Sequence, residues 1–177
     1  QLMHRHAKGL ALDIPQRHLD PSHRAAADDA AGLAISERFR AQVRSTEQAI
    51  RNAQDGMSLT QTGEGALNEV SSILIRLREL AVQANNATVS GQDRNTLNQE
   101  FRDLINEVDR IARSTTFNSV NLLDGSGSTL VFQVGIGTTI GIDTILLTLS
   151  NTLSSTLGLD SIDVGATGSP TGAITAI

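Results

Sequence analysis

Two histidines near the start of the chain form the clearest grouping of side chains capable of chemistry. His4 and His6 are separated by one residue, and closely spaced imidazoles can hold a metal ion. The sequence has no HExxH motif, and no carboxylate or third His stands at ligand spacing from this pair. The pair is therefore predicted to belong to a disordered terminus and not to a metal site.

A carboxylate pair, Asp28 and Asp29, is the second candidate, since neighbouring acids can share acid–base work. The pair stands directly ahead of an Ala-rich stretch with helical spacing. Acidic residues in that position cap free backbone N–H groups and complement the helix dipole. Helix capping is therefore favoured over catalysis.

Charged residues of both signs are mixed along the middle of the chain and are typical of solvated or inter-subunit helix faces. They include Arg76, Arg78, Glu79, Glu100, Arg102, Glu107, Asp109 and Arg110. No nucleophile stands beside a base. The glycine-rich run Val134–Gly141 lies in a predicted β-hairpin and not before a helix, which argues against a nucleotide site. The sequence thus predicts no enzyme activity, cofactor or metal.

The composition excludes several other classes. Without Cys the chain forms neither a disulfide nor a zinc–thiolate site. A net charge of −5 argues against nucleic-acid binding, which needs basic patches. No run of about 18 apolar residues is present, so no membrane insertion is predicted. The apolar patch Gly9–Leu12 is too short for the core of a cleaved signal peptide.

Composition also divides the 177 residues into three zones. Residues 1–27 hold all four His and two of the three Pro and are predicted to be an atypical, flexible segment. Residues 28–124 carry apolar residues at helical spacing. Residues 125–177 hold nine of the fifteen Gly and no Lys or Arg, with strand-like runs at Thr129–Val134 and Thr144–Leu149.

A long first helix is predicted over about residues 30–86. Gly56, Gly63 and Gly65 oppose it, because each Gly costs about 1 kcal/mol relative to Ala in a helix interior. The apolar seam on both sides favours continuity. A helix of about 57 residues is roughly 85 Å long, too long to be hidden in a compact domain, so it needs partners along its length.

A second helix, about residues 93–114, is predicted to pack back antiparallel on the first. Ser90 and Asp93 resemble a capping box at its start. Its apolar residues are separated by steps of four and three, a heptad seam: Leu97, Phe101, Leu104, Val108 and Ile111. The predicted fold is mainly α with a small β region, a long antiparallel helical hairpin resembling a coiled coil, followed by a β-hairpin segment.

Three apolar residues, Ile35, Phe39 and Val43, precede the stretch that the second helix can cover. Exposed apolar stripes mark interaction surfaces. Two interpretations stay open: packing between subunits, or packing against another part of the same chain.

Several segments of the chain closely resemble the hallmark segments of bacterial flagellins. The resemblance covers roughly residues 26–165, and a long match with several separate motifs is highly specific. The segments are DDAAGLAISERF (Asp28–Phe39), NAQDGMSLTQTGEGAL (Asn52–Leu67), RLRELAVQ (Arg76–Gln83), LNQEFRDLINEVDRIARSTTFNSVNLLDG (Leu97–Gly125), FQVG (Phe132–Gly135) and TLGLDSIDV (Thr156–Val164).

The resemblance implies a structural subunit of the bacterial flagellar filament. Flagellins leave the cell through the flagellar type III export channel, without a cleaved signal peptide, and polymerise outside it for motility. The implied partners are other flagellin subunits, an export chaperone and cap proteins. The carboxy-terminal core helices of the family are expected beyond Ile177, and residues 1–25 do not resemble the usual flagellin start.

The resemblance also implies a surface recognised by the flagellin-sensing Toll-like receptor of vertebrates. The matching positions here are Arg76, Leu80 and Glu100, with Gln83 nearby. Arg76 and Leu80 are four residues apart and share a helix face. The alternative is that Leu80 belongs to the apolar seam and the charges make axial filament contacts.

Two related classes are the alternatives to a filament subunit. A hook–filament junction protein has similar helical architecture, but the uninterrupted match through Asn52–Gly125 favours the major flagellin. A flagellin carrying a metalloprotease would contain an HExxH insertion, and none is present here.

Overall fold

The structure is a computed structural model that describes residues 21–127 and 129–177, with side chains from Asp29 onward. The His4 and His6 pair, the predicted flexibility of residues 1–20 and the Asp28 side chain lie outside the described residues. The elements are α1 (Pro21–Ala84), α2 (Gly91–Ser114), β1 (Thr116–Phe117), β2 (Val120–Asn121), β3 (Leu130–Gln133), β4 (Thr144–Leu147) and α3 (Pro170–Ala176). The predicted fold class, mainly α with a small β region, is confirmed.

The chain divides into two compact units, the first ending at Val43 and the second comprising Arg44–Ile177. The first contains the amino-terminal part of α1. The second contains the rest of α1 and every other element, so the packing described below lies within it.

The first helix begins at Pro21, earlier than the sequence predicted. Residues 21–27 are therefore helical, although they were assigned to a flexible segment. Proline fits this first helical position, because its missing N–H has no intrahelical partner there to lose. The helix also runs without a break through Gly56, Gly63 and Gly65.

A short turn connects α1 to α2 and is closed by local hydrogen bonds. The Asn86 side-chain oxygen accepts from the backbone N–H of Thr88 at 3.1 Å. Ser90 caps α2, since its hydroxyl oxygen accepts from the N–H of Asp93 at 3.2 Å and donates to the Asp93 carboxylate at 2.7 Å. The capping interaction predicted for Ser90 and Asp93 is confirmed.

The buried face of α2 differs from the predicted heptad seam by one position in two places. Phe101 and Val108 are buried as predicted, but Ile105 and Ala112 are buried where Leu104 and Ile111 were expected. Leu104 is only partly buried. Ile105 belongs to a core that also contains the segment Leu159–Val164, and Ala112 belongs to a second cluster with Leu122 and Leu123. Packing on these two segments as well as on α1 turns the buried arc away from a two-helix seam.

That segment belongs to an irregular stretch, residues 151–168, that lies along α2. Two Asn side chains on α2 hold it: Asn98 accepts from the N–H of Val164 at 3.2 Å, and Asn95 accepts from the N–H of Ala166 at 3.1 Å. The stretch contributes buried apolar side chains to the core formed by α1 and α2. That core consists of Leu77, Leu80, Ala81, Ala84, Phe101, Ile105, Leu159, Ile162, Val164 and Ala173.

The two strand pairs are both antiparallel. Asn118 and Ser119 join β1 to β2, and both have positive φ, 46° and 65°, as a tight two-residue hairpin turn requires. Strands β3 and β4 pair Leu130 with Leu147 and Gln133 with Thr144. A second apolar cluster, containing Leu59, Ala112, Leu122 and Leu123 with Phe132 packed against it, joins these strands to the helices.

Candidate functional site

The amino-terminal part of α1 exposes the three apolar residues predicted to pack between subunits. Ile35, Phe39 and Val43 are 52%, 63% and 56% exposed. At about 100° per residue they fall within an arc of roughly 80° on the helix. Leu33 is also 63% exposed, but it lies about 120° from the centre of that arc. We call Ile35, Phe39 and Val43 the apolar stripe.

In the second unit, α1 exposes further apolar side chains. Ile50 and Met57 are seven residues apart on one helix face, and both are more than half exposed. A shallow apolar groove of about 320 Å³ lies beside Met57, between α1 and the β3–β4 hairpin, where Phe132 and Ile145 line it. Such unpaired apolar area is typical of a surface that binds another protein segment.

The predicted receptor surface brings Arg76 and Glu100 together across the two helices. The Arg76 guanidinium donates to one Glu100 carboxylate oxygen from Nη2 at 2.8 Å and from Nε at 3.1 Å. It also donates to Glu79 at 3.1 Å. The hydrogen bonds with Glu100, and then with Glu79, raise the pKa of Arg76 above its ordinary value. All three side chains are about half exposed, so this network contributes little to stability.

The other two predicted receptor residues lie differently. Leu80 is 0% exposed and belongs to the core formed by α1 and α2. Gln83 is exposed. Leu80 therefore cannot touch a partner without leaving the core, because its side chain belongs to the buried cluster that also contains Phe101 and Leu159. The alternative role of Leu80 as a seam residue agrees with this position.

Two of the charged residues assigned to helix faces hold the irregular stretch instead. Arg102 donates to the backbone carbonyl of Asp160 at 3.0 Å, and Asp109 accepts from the N–H of Ser154 at 2.7 Å. Glu107 and Arg110 form a local pair in which hydrogen bonding from Arg110 lowers the pKa of Glu107. Sequence spacing did not predict the hydrogen bonds of Arg102 and Asp109, because their partners are backbone groups some fifty residues away along the chain.

Within residues 21–127 and 129–177 no three His, Asp or Glu side chains converge as metal ligands would. Over the same residues, no helix combines the length and apolarity needed to cross a membrane. Asp29 is exposed near the start of α1, beyond its first turn, so its predicted capping role is not seen there.

The chain matches a family model described as the bacterial flagellin N-terminal helical region over residues 23–128. This match covers more than half of the 177 residues. The chain belongs to the bacterial flagellin family.

Individual flagellins are also similar to this chain in sequence. A flagellin of Halalkalibacterium halodurans is 58% identical over 110 residues, which cover 62% of this chain. The phase 2 flagellin of Salmonella typhimurium is 48% identical over 141 residues, 78% of this chain. The chain spans only 40% and 27% of the lengths of these two proteins.

A solved structure is similar in fold as well as in sequence. The crystal structure of Bacillus cereus flagellin has a TM-score of 0.62 and 33% identity, covering 71% of this chain and 72% of that one. The helical hairpin followed by small antiparallel sheets is therefore an arrangement found in a flagellin structure.

Proposed function

We propose that this chain is part of a subunit of the bacterial flagellar filament, exported through the flagellar type III channel and polymerised outside the cell for motility. Its partners in that role are copies of itself, with an export chaperone and cap proteins acting before and during assembly. The role is structural, with no catalysis.

The exposure of apolar residues on α1 supports the proposal independently of family membership. The apolar stripe places three large side chains on one face of a helix, each more than half exposed. Burying an apolar side chain of this size contributes about 1.5–3 kcal/mol, so leaving three in water is costly for an isolated molecule. Packing against neighbouring subunits removes that cost.

Expression of the complete gene product in a flagellin-null bacterial strain tests the proposal. Electron microscopy should show long filaments on the complemented cells, and swimming should be restored. Cells that make and export the protein but carry no filament, or carry only a short segment at the end of the hook, would contradict a filament subunit. The second result would favour the hook–filament junction role.

We also propose that Arg76, Gln83 and Glu100 form the part of the receptor surface that touches the flagellin-sensing Toll-like receptor, with Leu80 supporting it from the core. The support is the position of these side chains on the exterior of the two helices.

Arg76→Ala should weaken binding about tenfold, as expected for loss of an interfacial charge. Arg40→Ala is the matched control, because Arg40 is an exposed α1 arginine paired with Glu37 at 2.8 Å. Equal binding by both variants would reject the surface.

A further inference from the structure

The part of α1 between Asn52 and Leu67 is a weak helix by its own sequence. Gly56, Gly63 and Gly65 lie within it, and together they cost about 3 kcal/mol relative to Ala. Hydroxyl side chains add to the weakness by bonding back to carbonyls four residues earlier, which bends and slightly destabilises helices. These bonds are Ser58 to Gln54, Thr60 to Gly56 and Thr62 to Ser58, at 2.9–3.0 Å.

Residues that follow α2 in the chain pack against this weak segment. The Phe132 ring fills the notch left by Gly56, where a Cβ atom would lie only 3.3 Å from the ring. Leu122 lies beside Gly63, with a corresponding distance of 3.9 Å. The Asn52 side chain donates to the backbone carbonyl of Gln133 at 2.9 Å, which ties the end of β3 to the helix.

Gly65 differs from these two glycines, because nothing outside the helix comes within 4 Å of the position a Cβ would occupy. Gly65 lowers the helix propensity, and no side chain from outside the helix packs against it. Gly56 is therefore the position where the absence of a side chain lets the Phe132 ring approach closely, whereas Gly63 makes an ordinary contact with Leu122 and Gly65 is a site of helix weakness alone.

We propose that docking of the β3–β4 hairpin is a latch that keeps residues 52–67 of α1 helical. Without Phe132 in its seat, this segment opens locally while the rest of the second unit stays folded. The latch holds Met57 on ordered helical backbone, where its side chain is exposed. Its use in filament assembly rests on the proposed function, but the latch itself does not.

Amide hydrogen exchange on this chain tests the latch without any polymerisation. In Phe132→Ala, amides of residues 56–65 should exchange about tenfold faster or more, while those of residues 77–84 keep their protection. Val131→Ala is the matched control, because Val131 is the preceding β3 residue and its side chain is 62% exposed. It should leave both regions unchanged. Unaltered exchange in Phe132→Ala, or equal loosening in Val131→Ala, would overturn the proposal.

A milder variant covers the case in which Phe132→Ala unfolds the whole unit. Phe132→Leu keeps an apolar side chain in the seat but loses the flat ring that fits against Gly56. A several-fold increase in exchange confined to residues 56–65 would support the latch. Uniform loss of protection, extending equally to residues 77–84, would show that the hairpin stabilises the unit as a whole and would overturn it.

Discussion

Arg76 and Leu80 lie one turn apart on α1, with the Arg76 side chain about half exposed and the Leu80 side chain fully buried. Sequence spacing correctly gave them adjacent positions along the helix, but it could not say which side of the face points into the core. That depends on α2 and on Leu159, whose positions come from distant parts of the chain. Substitutions of Leu80 therefore report on stability before they report on any partner.

Leu80→Ala should lower the free energy of unfolding by about 2–5 kcal/mol, because it leaves a cavity in the core formed by α1 and α2. Val82→Ala, two residues further on and 55% exposed, should change it by less than about 0.5 kcal/mol. Urea denaturation of both variants measures the difference. Similar stabilities would mean that Leu80 is not buried as described.

Hydrogen bonds to the Asp124 side chain stabilise the turn at the end of the segment NLLDG (Asn121–Gly125). Its carboxylate accepts from the Ser126 hydroxyl at 2.6 Å, from the Ser126 N–H at 2.9 Å and from the Asn121 amide at 2.6 Å. The Ser126 hydroxyl and then the Ser126 N–H are the main causes that lower the pKa of Asp124 below its ordinary 3.8. Gly125 between them has φ of 78°, which favours glycine.

Because the pKa of Asp124 is lower in the folded state, its contribution to stability is present above its ordinary pKa of 3.8 and is lost as pH falls through the lower folded value. Asp124→Asn should therefore flatten the dependence of unfolding free energy on pH below about pH 4. Denaturation series at several pH values check this. An unchanged slope in the variant would contradict the role of Asp124.

At the scale of elements, the two helices and the strands β3 and β4 follow from hydrophobic periodicity and strand propensity. The buried arc of α2 could not be predicted in this way, because Ile105 packs with the irregular segment Leu159–Val164 and Ala112 packs with Leu122 and Leu123. Neither segment has a regular period of its own. The helix start at Pro21 was missed because composition assigned residues 1–27 to a flexible segment, whereas proline is well suited to the first helical position. Periodicity thus predicts elements better than it predicts what covers them.

The glycines of α1 give a prediction at this scale. Gly65→Ala should raise the free energy of unfolding by about 1 kcal/mol, because it improves helix propensity where nothing lies nearby. Gly56→Ala gains the same propensity but places a methyl group 3.3 Å from Phe132, so its gain should be smaller or negative. Urea denaturation ranks the two, and a larger gain for Gly56→Ala would contradict the packing at Phe132.

For the whole molecule, sequence reasoning identified the family from separate motifs, and the match over residues 23–128 shows it. The receptor surface could be predicted only by transfer from relatives, and the packing of Leu80 shows how far such a transfer depends on burial. The apolar stripe was predictable because helical spacing and the reach of α2 are both readable from the sequence. Helical spacing does not say which segment or subunit covers the stripe.

Seeded polymerisation of the purified complete gene product tests the filament account most directly. Replacing the apolar stripe, Ile35, Phe39 and Val43, with Ser should raise the critical concentration at least about 100-fold, because three buried apolar contacts are lost. Leu33→Ser, equally exposed on a different face, should polymerise much closer to wild type. Normal polymerisation of the stripe variant would contradict the claim that this face of α1 packs between subunits.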